Sequence, residues 1–292
     1  MNEKFDSADF NFDEYMDMLE ALIGLIAKLP EPVRKPLEKE LSNLLDLVKE
    51  IRSPRFMLIG KRGAGKSSLI NALFDEHVAE VGAVKAQTGK AKWYPYESNG
   101  KKIDILDTRG ILEGSKPEES DDAKTPRESI LSEAKKKCPD ITLFLCKAED
   151  VDTAINESLD ILEDIVKQIQ QYHNGYKTPI VGILTQCDKL APSDIQRLPT
   201  DDEEKNQNIE EAVVALEKHL ESRQILSDSL AKVIPTASFV RYKPKDGTPD
   251  SNRDYRWNID ELKELLVNEL PKGPDIAFAR LARIRKFQKK NR

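Results

Sequence analysis

The sequence predicts an α/β fold: a mainly parallel sheet with helices on both faces, preceded by an N-terminal helical hairpin. Two observations predict it. From Arg55 to Leu270, short apolar runs of strand length alternate with segments of helical period, the pattern of strands joined by helical crossovers. Before Arg55 the apolar spacing is helical throughout. In sheets of this kind ligands bind beyond the carboxyl ends of the strands.

Taken in order, Phe12, Tyr15, Met16, Leu19, Leu22, Ile23 and Ile26 follow the i, i+3, i+4, i+7 spacing of an amphipathic helix that ends before Pro30 and Pro32. Val33, Leu37, Leu41, Leu44, Val48 and Ile51 repeat the pattern beyond that turn, so the two segments are expected to pair as a hairpin closed by Pro54. Then the period changes. Phe56 to Ile59 is a strand-length apolar run leading into glycines and the helical stretch Ser67 to Phe74. Further strands are expected at Lys90–Tyr96, Lys102–Leu106, Ile141–Cys146, Ile180–Leu184 and Lys232–Ile234. Helices are expected at Ser129–Lys137, Ile155–Tyr172, Asn206–Ser222 and Ile259–Leu270. Leu112–Arg127 and Lys243–Arg253, rich in charge, Pro, Gly or Asp, are expected to be mobile. The expected domains are 1–53 (acidic segment and hairpin), 54–270 (the α/β domain) and 271–292 (basic helix or tail).

Composition narrows the class. The 292 residues are 39% hydrophobic and 34% charged with net charge −6, and the pI near 5.4 argues against nucleic acid as a whole-surface partner. Charge is uneven: residues 1–20 hold seven acids against Lys4, and residues 275–292 hold seven bases against Asp275. Cys138, Cys146 and Cys187 are widely spaced with no C-x-x-C, so they are expected as free thiols in a reducing compartment. No run reaches the roughly 18 apolar residues needed to span a bilayer, and the expected location is cytoplasmic, with peripheral membrane contact left open. His77, His173 and His219 stand apart without ligand-spaced partners, which argues against zinc. Trp93 and Trp257 are expected as core or helix contacts.

The chemistry is concentrated in loops after the strands. Gly60 to Ser67 (Gly60, Lys61, Arg62, Gly63, Ala64, Gly65, Lys66, Ser67) matches G-x-x-x-x-G-K-[S/T] and lies between a strand and a helix. Glycines let backbone amides converge on phosphate oxygens, the helix N-terminus adds partial positive charge, Lys66 reaches the β and γ phosphates, and Ser67 ligates Mg²⁺. Ser68 follows in the same turn. Ile103 to Asp107 is a buried-type strand ending in an acid, with Gly110 three residues on. D-x-x-G alone is an ordinary turn. Placed about 40 residues after the phosphate loop, Asp107 is expected to hold Mg²⁺ through water and the Gly110 amide to approach the γ-phosphate. Thr88, in the polar stretch between, is expected to complete the metal shell when that phosphate is present.

With this order of motifs the chain resembles the G proteins of the translation-factor-related class. The stretches 65–74 (Gly-Lys-Ser-Ser-Leu-Ile-Asn-Ala-Leu-Phe), 106–111 (Leu-Asp-Thr-Arg-Gly-Ile) and 258–266 (Asn-Ile-Asp-Glu-Leu-Lys-Glu-Leu-Leu) place it near the Era-like and HSR1-related GTPases. Its P-loop also resembles the immunity-associated and chloroplast-import GTPases, and septins share a Thr-first base motif. The resemblance implies a P-loop NTPase G domain that takes GTP or GDP with Mg²⁺. It makes Asp188 the acceptor for guanine N1 and the 2-amine, with Thr185 standing for the usual Asn and Gln186 for the usual Lys. It also implies that Thr236, Ala237 and Ser238 form the last base contact, in which the Ala237 amide meets guanine O6.

Departures from the family pattern shape the expected activity. Ile111 stands where many small G proteins carry a water-orienting Gln, and Gly63 where potassium-activated members carry Asn. The expectation is therefore slow hydrolysis, on the order of 10⁻⁴ to 10⁻² per second, and a switch role. A nearly inert scaffold and an assembly factor acting on membrane or ribosomal RNA are the alternatives. The expected partners are guanine nucleotide, an unspecified effector and a second copy in a nucleotide-dependent dimer; Arg62 and Arg109 read first as solvated loop residues, with an arginine-finger role in cis or across such a dimer as the alternative. The basic segment with Ala277, Leu281, Ile284 and Phe287 on one side suits lipid headgroups or RNA. A solvated helix end paired with the acidic first twenty residues is its plainer reading.

Overall fold

The computed structural model describes residues 25–26, 29–37, 53–77, 79, 91–98, 101–107, 126–152, 155–173, 175–243 and 248–271. Most of the expected hairpin and the whole basic segment lie outside them. Within the described part of the hairpin, residues 31–37 are helical, and Ile26 is buried. Val33 and Leu37, assigned by spacing to a packing face, are instead exposed at 52% and 41%.

Six strands form one sheet. In chain order the elements are β1 (Arg55–Gly60), α1 (Lys66–Phe74), β2 (Lys92–Ser98), β3 (Lys101–Asp107), α2 (Pro126–Lys136), β4 (Ile141–Lys147), α3 (Asn156–Tyr172), β5 (Ile180–Thr185), α4 (Glu203–Glu221), α5 (Gln224–Ser227), β6 (Leu230–Pro235), β7 (Val240–Tyr242), β8 (Pro249–Asp254) and α6 (Ile259–Glu269). The strand order is β2-β3-β1-β4-β5-β6. β1 pairs parallel with β3 and β4, β5 pairs parallel with β4 and β6, and β2 pairs antiparallel with β3.

The central strands are buried on both faces, which explains their unbroken apolar sequence. Met57, Ile59, Phe144 and Cys146 point to a layer made with α2, α3 and α4, while Phe56, Leu58, Leu143 and Leu145 point to a layer made with α1 and α6. That alternation is the period-2 geometry of a strand. Pro95 sits in the edge strand β2, opposite Asp104, where a missing N–H is tolerated.

Two sequence expectations need correction. The Pro- and Asp-rich segment 243–253, expected to be mobile, contains a strand: β8 pairs with β7, with Val240 opposite Asp254 and Tyr242 opposite Pro249, and the Lys243 amide donates to the Thr248 carbonyl at 2.8 Å. Cross-strand pairing here overrides a composition poor in strand formers. α4 begins three residues earlier than its apolar period suggests, because the Asp202 side chain accepts from the Lys205 amide at 2.8 Å and caps the helix.

The thiols behave as small core groups. Cys146 and Cys187 are buried, and burial pushes both up to about 12. Trp93 is buried with its indole N–H donating to the Glu133 carbonyl at 3.3 Å. Arg256, its side chain buried, donates to Asp254 and to Asp75 just past the end of α1, while Lys263 of α6 reaches Asp75 at 3.2 Å. These pairs fasten the end of α1 to α6.

Candidate functional site

β1 ends at Gly60 and α1 begins at Lys66, so the connecting loop lies at the carboxyl edge of the sheet. Its glycines are required by geometry. A side chain at Gly60 would place its Cβ 2.7 Å from the Leu145 carbonyl of β4. Gly63 and Gly65 have φ of 75° and 91°, left-handed values that L-residues rarely adopt. Gly65 caps α1 without a side-chain hydrogen bond, and the first turn of a helix carries amides with no intrahelical acceptor.

The Lys66 ammonium lies back over the loop, donating to the Gly60 carbonyl at 2.6 Å and the Lys61 carbonyl at 3.1 Å. Ser67 and Ser68 follow in the same turn and are half-buried. Arg62 is exposed. Beside the loop, a small solvent-open cleft of about 20 Å³ is lined by Lys61, Ala64, Lys147 and Asp150 among others. It flanks the loop on the β4 side.

Asp107 closes β3, and its backbone stands opposite Leu58 of β1. The two strands therefore deliver the phosphate loop and the D-x-x-G acid to the same sheet edge. Thr88, Arg109, Gly110 and Ile111 lie outside the described residues, as does the Asp107 side chain.

The end of β5 meets the phosphate loop directly. The Thr185 hydroxyl, buried, is 2.9 Å from the Ala64 carbonyl and 3.2 Å from the Cys146 carbonyl. Gln186, at φ 59°, donates its side-chain amide to the Gly63 carbonyl at 2.7 Å and accepts from Lys189 at 2.7 Å. Both side chains thus hold the loop. Asp188 follows in a turn of 3-10 helix, half-buried. Burial raises its carboxyl above the usual 3.8, against the pull of its own backbone amide and of Lys189 and Lys205.

Residues 236–238, expected to make the last base contact, are folded against β5. The Thr236 amide and hydroxyl both reach the Leu184 carbonyl, at 2.7 and 3.2 Å, and the Cys187 amide donates to the Thr236 carbonyl at 3.2 Å. At Ala237 the amide donates to the Trp257 carbonyl at 3.2 Å, so the donor that the resemblance assigns to guanine O6 has a partner within the chain. Next to it, the buried Ser238 hydroxyl has no hydrogen-bond partner.

Sequence reasoning missed Lys205. Fully buried in the first turn of α4, it donates to the carbonyls of Asp188 (2.9 Å), Leu190 and Pro192 (3.3 Å). Burial lowers its pKa while Asp188 and nearby acids oppose that shift. By helical period it shares a face with Ile209, Ala212 and Leu216, and that spacing is the signal that could have found it. Among the described residues there is no cluster of His, Cys, Asp and Glu that would hold a metal, and no helix long and apolar enough to cross a membrane.

With this geometry in view, residues 55–186 match the family of 50S ribosome-binding GTPases. This part of the chain is a P-loop GTPase domain. The match runs from the first residue of β1 to Gln186 and stops before Asp188. The chain is 36% identical over 91 residues to translocase of chloroplast 120 of Arabidopsis thaliana, covering 30% of this chain and 8% of that protein. It is 42% identical over 66 residues to GTPase Der of Bacillus thuringiensis (strain Al Hakam), covering 23% of this chain and 15% of that protein. The matched segment is therefore a small part of either relative. A bacterial dynamin GTPase, LeoA from ETEC, overlays 96% of this chain and 48% of its own with a TM-score of 0.51 at 12% identity, which supports the fold alone.

Proposed function

We propose that the chain binds GTP with Mg²⁺, hydrolyses it slowly and works as a nucleotide-dependent switch. One observation carries the reading: the hydroxyl of Thr185 and the amide of Gln186 bond the carbonyls of Ala64 and Gly63. A phosphate loop and a base-reading strand end, more than 120 residues apart in sequence, thereby form one continuous wall.

At the phosphate end, the loop amides and the start of α1 favour anions, and Lys66 needs only to exchange two carbonyls for phosphate oxygens. A hydroxyl at Ser67 and a carboxylate at Asp107 are hard oxygen donors of the kind Mg²⁺ takes. When bound, the ion would offset charge on the β and γ phosphates. At the base end, Asp188 supplies an acceptor-only carboxylate when ionised, matched to the N1–H and 2-amine of guanine. The Ser238 hydroxyl is the polar group left over at that end. A buried, unpaired hydroxyl calls for a partner, and guanine O6 would be one.

Slow turnover follows from Ile111, whose side chain cannot orient a water. The test is calorimetric titration with GTP, GDP and ATP in Mg²⁺, followed by single-turnover hydrolysis. Guanine preference with slow, measurable phosphate release is expected. A preference for ATP would sink the base assignment, and GTP binding without any release would leave a scaffold.

A further inference from the structure

Lys205 is in an unfavourable place for a cation. It occupies the first turn of α4, where the helix presents its positive end, and its side chain is fully buried, which lysine almost never is unless paired. Among the described residues no carboxylate lies within ion-pair distance of it. Instead its ammonium has three protons and three backbone carbonyls to receive them, at Asp188, Leu190 and Pro192. Three residues on, the Asn208 side chain donates to the Ala191 carbonyl at 2.9 Å. Four carbonyls of one five-residue segment are thus held by the start of one helix.

That helix is itself anchored at its start and along its inner face. Asp202 caps it, and Ile209, Ala212, Leu216 and Leu220 bury its inner face in the core. The segment it holds begins at Asp188. On the other side of Asp188, Thr185 and Gln186 are tied to the phosphate loop and the Cys187 amide to Thr236.

We propose that Lys205 is a positioning residue for guanine recognition: it fixes the 188–192 backbone so that the Asp188 carboxylate faces the base edge. The proposal rests on Asp188 reading the base. Its physical content is that a carboxylate discriminates a base only if two acceptor oxygens stay where two donors arrive. A buried ammonium bonded to the Asp188 carbonyl itself removes the freedom that would blur that geometry. Lys205 touches neither phosphate nor base, so its loss leaves the phosphate end intact.

The test uses the full chain and Lys205→Met, which keeps the stem and deletes the charge. Affinities for GTP, inosine triphosphate and ATP are measured with Mg²⁺, and thermal melting is recorded on the same samples. Inosine triphosphate lacks the 2-amine, so the GTP-to-inosine ratio reports Asp188 placement. Loss of one well-placed bond to a charged acceptor amounts to about tenfold. Lys205→Met is therefore expected to lower GTP affinity by about that factor, to bring the ratio toward one and to leave ATP affinity unchanged. A selective wild type and a variant with the same ratio but a lower melting temperature would overturn the proposal and leave Lys205 as a loop staple. A wild type that binds ATP as well as GTP overturns the base reading itself, and this proposal with it. Where Lys205→Met does not fold, Asn208→Ala decides: a smaller fall in the same ratio supports positioning, and the wild-type ratio overturns it.

Discussion

The two ends of the site are built in different ways. At the phosphate end the chain itself is the machine: glycines at φ 75° and 91°, a helix start, and one lysine over the loop. At the base end the 185–192 segment carries no glycine, although Gln186 stands at φ 59°, and its placement depends on side chains reaching carbonyls, from Thr185, Gln186 and Lys205. The first kind of site tolerates few residue types and so leaves a strict motif. The second can be held by any donor of the right length, and here the donors are the Thr185 hydroxyl and the Gln186 side-chain amide.

The comparison can be broken most severely at the phosphate end. Lys66→Ala removes a cation from the phosphates, and charge-assisted bonds of about 1.5–3 kcal/mol each make a loss of at least about 100-fold in GTP affinity the expected result. Ser67→Asn removes a hydroxyl suited to Mg²⁺, and its loss should appear only when Mg²⁺ is present. Equal titrations for wild type and both variants would remove the central reading. Next comes Gly60→Val, whose Cβ would meet the Leu145 carbonyl at 2.7 Å. Overpacking of this kind costs about 1–3 kcal/mol, so melting temperature and affinity should fall together.

At the base end the effect should be selective. Asp188→Asn replaces an acceptor by a mixed donor and acceptor, and about tenfold or more of GTP affinity should be lost with ATP untouched. Acidification offers the same test without mutation. Because burial raises the Asp188 pKa above 3.8, the carboxylate protonates earlier on acidification than an ordinary Asp, and GTP-over-ATP preference should fade at a pH above 3.8. The sign for stability is opposite: a raised acid pKa means that this group's contribution to folding falls as pH rises through it. Selectivity lost while the fold persists is therefore the expected signature, followed by competition titration and circular dichroism across the acid range. A preference unchanged until the protein unfolds would exclude Asp188 as the reader.

The smallest effect sharpens the comparison. Thr185→Val keeps the shape and deletes the hydroxyl that holds Ala64. A neutral hydrogen bond contributes about 1 kcal/mol, so GTP, GDP and ATP should all weaken about fivefold, because the loop rather than the base contact loosens. A guanine-specific loss would instead show that Thr185 contacts the base.

The strands, their alternation with helices and the phosphate loop were legible in the sequence, since buried parallel strands demand continuous apolar runs and left-handed turns demand glycine. β8 was not, because a strand of Pro, Asp, Ser, Asn and Arg exists only through its partner β7. Nor were the engaged Ala237 amide and the buried ammonium of Lys205. An amide's partner and a lysine's depth depend on which distant segment lies against them: Trp257 is 20 residues from Ala237, and the carbonyls around Lys205 are 13 to 17 residues away. The sequence by itself determined the α/β order and the chemistry of the phosphate loop, because both are set by local backbone requirements. Only the tertiary structure decided what holds the base end in place, because those bonds join side chains to carbonyls that every residue carries and no motif records.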